Sequence, residues 1–304
     1  MKSADAYARG AAGIAAGSPT IVPPRRRRRP RTRTQRRQAI SRLVLIPMAV
    51  LYTIPYYWMA ITALKSNEEL GSTPPTLWPH SFQWSNFSDA VTAIPFGQYL
   101  VNTLIITGFT ILGAVISNPI VAYGFSRIEW PGRDKLFYVV IATVFIPYPV
   151  LIVSLFDIFA RLGWVNTFLP LIVPVFFGNA FWIFLMRQFL MQIPAEISDA
   201  ARLDGANEIQ VAYQIILPLA KPAIAVVAIF AAISAWNDFL GPLLYLQDEN
   251  KYTLSVGLTF FRSQHDVQFN LLMAASTLVV LPVIIIFIAF QRSFIDGLTV
   301  GSIT

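Results

Sequence analysis

Six stretches of this chain run for about twenty residues with almost no charge, and this limits the possible folds more than any other feature. They are 43–64, 99–125, 136–156, 168–186, 223–246 and 271–290, and the fifth carries a single acid, Asp238. The first is about 33 Å long as an α-helix, enough to cross a hydrocarbon core of ~30 Å. Core helices of soluble proteins rarely run so long without charge. Composition agrees: 13% of the residues are charged, against about 25% in a soluble domain. The expected fold is therefore an all-α membrane protein with six transmembrane helices. Its 21 prolines fit that class, because neighbouring helices in a membrane bundle can satisfy the carbonyls that proline frees. The chain has no cysteine, which excludes disulfides, thiolate metal sites and cysteine nucleophiles.

Basic residues orient the spans. Twelve of the 23 Lys and Arg lie in the first 42 residues, many of them in "RRRRRPRTRTQRR". Segment 1–39 is too polar to bury a core, so a disordered Arg-rich tail is expected there, with the membrane domain over 40–304. A cleaved signal peptide is not expected, since the apolar run after the arginines is long enough to span and no small-residue cleavage site follows it. With the N-terminus inside, nineteen Lys and Arg fall on the cytoplasmic side and four outside. That split follows the positive-inside rule and puts both termini in the cytoplasm, with the segment between the fourth and fifth runs. The tail suits anionic lipid headgroups, at about 1 kcal/mol per basic residue near the surface. A topology signal explains it equally well. Nucleic acid is not expected as a partner, because no folded module or interleaved aromatics accompany the arginines. No solenoid repeat or inverted transporter repeat is visible.

The cytoplasmic segment contains "SDAARLDGANEIQVAYQIILPLAKP". Pro194 suits a first helical turn, where its missing N–H costs nothing. Glu196 and Asp199 fall in the first turns, which the helix dipole favours for acids. Ala200 and Ala201 are small enough to let another chain approach. Gly205 can take a left-handed conformation and end that helix. A second short helix, about 207–216, fits before Pro218. The segment is expected as a helix–turn–helix outside the membrane. Its composition alone would also suit a solvated connector.

Spacing favours more than a connector. Asp199-Ala200-Ala201, three residues, Gly205, nine residues, Ile215, one residue and Leu217-Pro218 resembles the EAA loop of ABC importer permeases, with Asp199 where that motif has glutamate. The stretches "FLMRQFLMQIP", "WNDFLGPLLYL", "YTLSVGL" and "QRSFIDGLTVGSI" are similar to the maltose- and glycerol-phosphate-type (MalG-like and UgpE-like) members. These are second permease subunits of carbohydrate importers. The resemblance covers roughly residue 40 to the end.

This resemblance implies a bacterial inner-membrane permease without an ATPase site of its own. Its implied partners are a second homologous permease, two copies of a nucleotide-binding ATPase that hydrolyse ATP with Mg, and an extracytoplasmic solute-binding protein. Glu196, Asp199, Ala200, Ala201, Asp204, Gly205, Ile215, Leu217 and Pro218 would form the element that docks on the ATPase. Asp199 would stand in for the contacting glutamate, and Gly205 would make the turn. Loop 247–269 would meet the binding protein, with Asp248, Glu249 and Arg262 as rim charges. The sequence itself holds no GxxxxGK[ST] phosphate loop, and His80 and His265 are isolated residues in expected external loops rather than a metal pair. No cofactor is expected in this chain.

Polar residues within spans are costly and therefore candidates for a solute path. Asn118 beside Pro119, Asn179 beside Gly178, Asn237 and Asp238 are the four candidates. Each also suits an interhelical hydrogen bond, and for Asn237 and Asp238 the structural role is the stronger expectation. Trp78, Trp84, Tyr148 and Trp164 are expected at the membrane edges. The expected cargo is a sugar. Alternatives are glycerol phosphate, a polyamine or another small polar solute. A membrane-embedded transferase is a rival of another class, but it would need a cluster of acids or histidines that the sequence lacks.

Overall fold

The computed structural model describes residues 33–262 and 268–299, and among these it is helical with no β-sheet. Most of the Arg-rich tail and His265 lie outside the described residues. In chain order the helices are α1 (Arg33–Ala63), α2 (Asn67–Leu70), α3 (Ser85–Ala93), α4 (Phe96–Ser126), α5 (Arg133–Ala142), α6 (Tyr148–Arg161), α7 (Leu169–Ile172) and α8 (Ala180–Leu190). There follow α9 (Ala195–Leu203), α10 (Glu208–Gln210), α11 (Leu217–Leu219), α12 (Lys221–Asn237), α13 (Leu240–Tyr245), α14 (Leu254–Gly257) and α15 (Phe269–Thr299). Residues 33–39, assigned to the tail by their charge, are the first turns of α1. The chain divides into two compact units after Thr53. The described part of the first is helix alone.

Among the described residues, four helices are long and apolar enough to cross a membrane: Ser41–Ala63, Phe96–Ser126, Leu169–Leu190 and Phe269–Ile288. The number rises to six when two bent pairs each count as one crossing. The third expected run is not straight. Arg133–Phe145 and Tyr148–Arg161 meet at 99°, because Pro147 pushes Ile146 out of the helical region into extended backbone. The fifth run is also interrupted: α12 stops at Asn237, Asp238 is extended (φ −66°, ψ 120°), and α13 resumes at Leu240. The fourth breaks at Gly178, whose φ of +95° and ψ of 151° suit glycine alone.

α4 packs chiefly on α12 and α8. Ala114, Ala122, Ala223 and Ala231 are buried in that core beside Met186, Val211, Ile216 and Val227. Such small residues let helix backbones approach closely, which replaces the hydrophobic drive that lipid does not supply. A second core joins Ala63, Tyr99, Trp236, Leu254, Ala274 and Ala275. The expected open loop after α13 is largely folded. The Asn102 amide donates to the carbonyls of Asn250 (2.8 Å) and Tyr252 (3.0 Å), and Thr103 Oγ1 accepts from the Leu254 N–H (3.0 Å). These bonds hold the 249–261 segment against α4. Glu249 and Arg262 remain exposed there, while Asp248 is half-buried.

Asn86 ties this second core together. Its amide donates to the carbonyls of Ala63 (2.8 Å) and Lys65 (2.9 Å), the end of α1, and its Oδ1 accepts from Asn270 on α15 (3.2 Å). Replacing it with leucine strands two buried carbonyls. Asn86→Leu is therefore expected to destabilise the protein by about 2 kcal/mol. A thermal melt in detergent checks this, and an unchanged melt would remove Asn86 as the tie.

Candidate functional site

The segment between α8 and α12 is a helix–turn–helix, as its sequence predicts. Gly205 takes φ +87° at the turn, with open space where a side chain would sit. Substitution there meets backbone strain of about 1–2 kcal/mol and no clash. Asn207 and Gln210 then form a reciprocal capping box that starts the second helix. That helix does not end before Pro218. It runs from Glu208 to Leu219, with a π-helical stretch over Val211–Ile216, and bends by 76° into α12. The Leu217 N–H bonds the carbonyl of Ala212, five residues back. This widened turn makes room for a proline ring that would otherwise press on the carbonyl four residues back.

One face of the element is bolted to the bundle. Arg202 Nη1 donates to Asp199 Oδ1 (2.8 Å), and Arg202 Nε donates to Glu208 Oε1 (2.7 Å). The Tyr123 hydroxyl, near the end of α4, donates to Glu208 Oε2 (2.9 Å). Arg127 Nη2 donates to the carbonyls of Leu190 (2.7 Å) and Ile193 (2.5 Å). Arg187 Nε donates to the Phe125 carbonyl (3.0 Å), and its guanidinium lies 4.1 Å from the centre of the Phe137 ring. A cavity of about 590 Å³ lies beside this clasp, lined by Arg127, Arg133, Ser198, Asp199, Arg202 and Glu208. The other face is an apolar tip: Leu203 is 89% exposed, Ile209 70% and Tyr213 54%.

Of the residues predicted for this element, Glu196, Asp199, Ala200, Asp204, Gly205 and Pro218 are exposed. Ala201 is buried, and Ile215 and Leu217 are half-buried. The sequence reading missed Arg202, Glu208 and Tyr123, whose meeting depends on the turn. It also missed Leu203 and Ile209, whose signal was an apolar side chain in an otherwise polar stretch.

The four candidates for a solute path have different surroundings. Asn118 is fully buried and acts as a pin: its Oδ1 accepts from the Asn179 N–H (2.8 Å) and its Nδ2 donates to the Ala114 carbonyl (2.7 Å). Asn179 Oδ1 caps α8, accepting from the N–H groups of Phe181 (3.0 Å) and Trp182 (3.3 Å). Asp238 Oδ1 accepts from the Gly241 N–H (3.1 Å) and so starts α13. Asn237 is exposed and bonds the Ile233 carbonyl of its own helix. A cavity of about 300 Å³ brings Asn179 and Asp238 together. Neither Asn118 nor Asn237 lines it.

The Arg202 hydrogen bond, helped by Tyr123, holds the Glu208 carboxyl below its ordinary value of 4.5. A depressed carboxyl stabilises the folded state above its ordinary pKa, and this is lost as the pH falls through the depressed value. Acidification below pH 4.5 is thus expected to loosen the clasp, seen as faster amide exchange over 198–216. Glu208→Gln should exchange faster at neutral pH and lose this acid step. An unchanged acid step in the variant would assign it to another group.

Comparison with known proteins agrees with the helical architecture. The family model described as binding-protein-dependent transport system inner membrane component matches residues 111–299. The diacetylchitobiose uptake system permease protein NgcG of Streptomyces coelicolor is 32% identical over 87% of this chain and 88% of its own. The trehalose/maltose transport system permease protein MalG of Thermococcus litoralis is 30% identical over 88% of this chain and 99% of its own. Among solved structures, a bacterial ABC transporter involved in import of the acidic polysaccharide alginate has a chain that matches with a TM-score of 0.71. It is 25% identical, with 86% of this chain and 98% of that one covered.

Proposed function

This chain belongs to the binding-protein-dependent transport system inner membrane component family, and from that membership we propose that it is one of two permease subunits of an ATP-driven carbohydrate importer. Sugar relatives along nearly the whole chain support the cargo class. In this proposal Arg133–Phe145 with Tyr148–Arg161 is one crossing and α12 with α13 is another, both termini are cytoplasmic and the site is the inner membrane. The second permease completes the path, two ATPase copies hydrolyse ATP with Mg, and a solute-binding protein delivers the sugar from outside. The chain itself contributes no ATPase site and no cofactor.

The shape of the helix–turn–helix carries the proposal. A soluble connector has no reason to expose Leu203, Ile209 and Tyr213 on an element whose two helices are clasped through Arg202. An apolar tip on a braced base suits docking on a rigid partner. Burying one such side chain contributes about 1.5–3 kcal/mol. Asp199 already gives one carboxylate oxygen to Arg202, so in this proposal it steadies the element as well as facing the ATPase. Glu196, Ala200, Asp204 and Gly205 lie on the exposed side of the same element, with Ala201, Ile215, Leu217 and Pro218 setting its base.

Leu203→Asp is expected to cut labelled sugar uptake by more than about tenfold, because the charge would have to be desolvated at the interface. Asp199→Lys and Gly205→Trp are expected to abolish uptake. All three should still insert in the membrane. Uptake assays in cells carrying the complete importer, with immunoblots of the membrane fraction, test this. Normal uptake in Leu203→Asp and Asp199→Lys would remove the docking role.

A further inference from the structure

We propose that the cavity between α4, α8 and α12 is a subsite for one uncharged sugar ring, and that its polar lining favours a neutral ring over charged cargo. This rests on the importer reading above and goes beyond it by naming the charge class of the solute. Two broken helices meet at this cavity. The α7–α8 break supplies Gly178 and Asn179, and the α12–α13 break supplies Asp238. Irregular backbone at membrane depth is tolerated where it is buried in protein or lines a polar cavity, and in transporters such breaks line solute sites. At about 300 Å³ the space is at the small end of ligand pockets, and suits one ring rather than a chain.

The polar groups around it call for a ligand that both donates and accepts. Thr110 is 5% exposed, and its Oγ1 has no hydrogen-bond partner among the described residues although it lines the cavity. A buried hydroxyl left unpaired is costly, so this one awaits a partner. Asn179 has its oxygen committed to capping α8, so its NH₂ end is the one left to donate. Ser234 adds a hydroxyl. Asp238 has an acceptor bond from Gly241, yet a carboxylate offers about four acceptor positions.

Among the described residues, Asp238 is the one ionisable residue lining this cavity. In its ionised form it repels a phosphate or a uronate. An ammonium ion would satisfy Asp238 and donate to the two hydroxyls, which accept as well as donate, but it leaves the Asn179 amide without an acceptor. A neutral sugar ring meets every requirement: its hydroxyls donate to Asp238 and accept from Thr110, Ser234 and Asn179. Trp182, which also lines the space, supplies an apolar wall for a ring face.

Two variants test the site without dismantling the fold. Asp238→Asn keeps an oxygen to cap α13 and removes the charge. Thr110→Val keeps the shape and removes an unpaired hydroxyl, so a purely structural role predicts unchanged or improved stability. The complete importer, with its binding protein, is reconstituted in proteoliposomes and given maltose, diacetylchitobiose, glycerol 3-phosphate or spermidine, each radiolabelled. The wild type is expected to carry a neutral sugar alone. Each variant is expected to lower its transport at saturating sugar by about tenfold. Stimulation of ATP hydrolysis by the loaded binding protein should stay within twofold, which a folding defect would not allow. Wild-type carriage of the sugar with unchanged transport in both variants would overturn the subsite and leave the importer standing. Import of glycerol 3-phosphate or spermidine by the wild type would overturn the charge class. Failure of the wild type to carry any of the four would overturn the carbohydrate reading and this inference with it.

Discussion

Every interruption of a helix inside this bundle has to be closed by a hydrogen bond from the protein itself, because hydrocarbon offers none. Asn118 meets that requirement for the α7–α8 break by accepting the Asn179 N–H (2.8 Å) while it holds its own helix through Ala114. Asp238 does the same for the α12–α13 break through Gly241. At Pro218 the chain uses another device, a π-helical turn that shifts the hydrogen bonds ahead of the proline. The interior cavity depends on the first two of these, since it opens where the helices part.

The same helices carry the helix–turn–helix between α8 and α12. α4 ends in Tyr123 and Arg127, which grip Glu208 and the carbonyls of Leu190 and Ile193. α12 grows directly out of the second helix of the element, across a 76° bend. A displacement of the apolar tip would therefore reach both helices whose packing encloses the cavity. In the proposed importer this would give a physical route from an ATPase outside the membrane to a solute site within it, through rigid contacts that are individually short and mostly charge-assisted.

The long apolar helices were legible because a missing charge is a local property, visible without a fold. Their breaks were legible in part: Asn179 with Gly178 does mark one, whereas Asn118 with Pro119 leaves α4 continuous. Pro119 and Pro282 sit inside α4 and α15, so proline alone does not mark an interruption, and Pro147 became one through its surroundings. The turn at Gly205 was legible, since glycine between two helical patterns has few other uses. The Arg202–Glu208–Tyr123 clasp joins residues far apart in the chain and became visible with the fold. Asn118 and Asp238 were singled out as polar groups in apolar spans. Sequence gives no direction to a side chain, and so it did not separate the pin from the residue that faces the cavity.

The absence of native cysteine makes one measurement unusually direct. A single cysteine placed at the exposed Leu203, and another at the buried Val211, are treated with a short photoactivatable thiol crosslinker in native membranes. The central claim is that the tip of this element seats on the nucleotide-binding subunit. It predicts an adduct between position 203 and an ATP-binding protein, altered in yield by ATP, and none from position 211. Efficient labelling of position 203 with adducts to lipid alone, or to no nucleotide-binding protein, would contradict it.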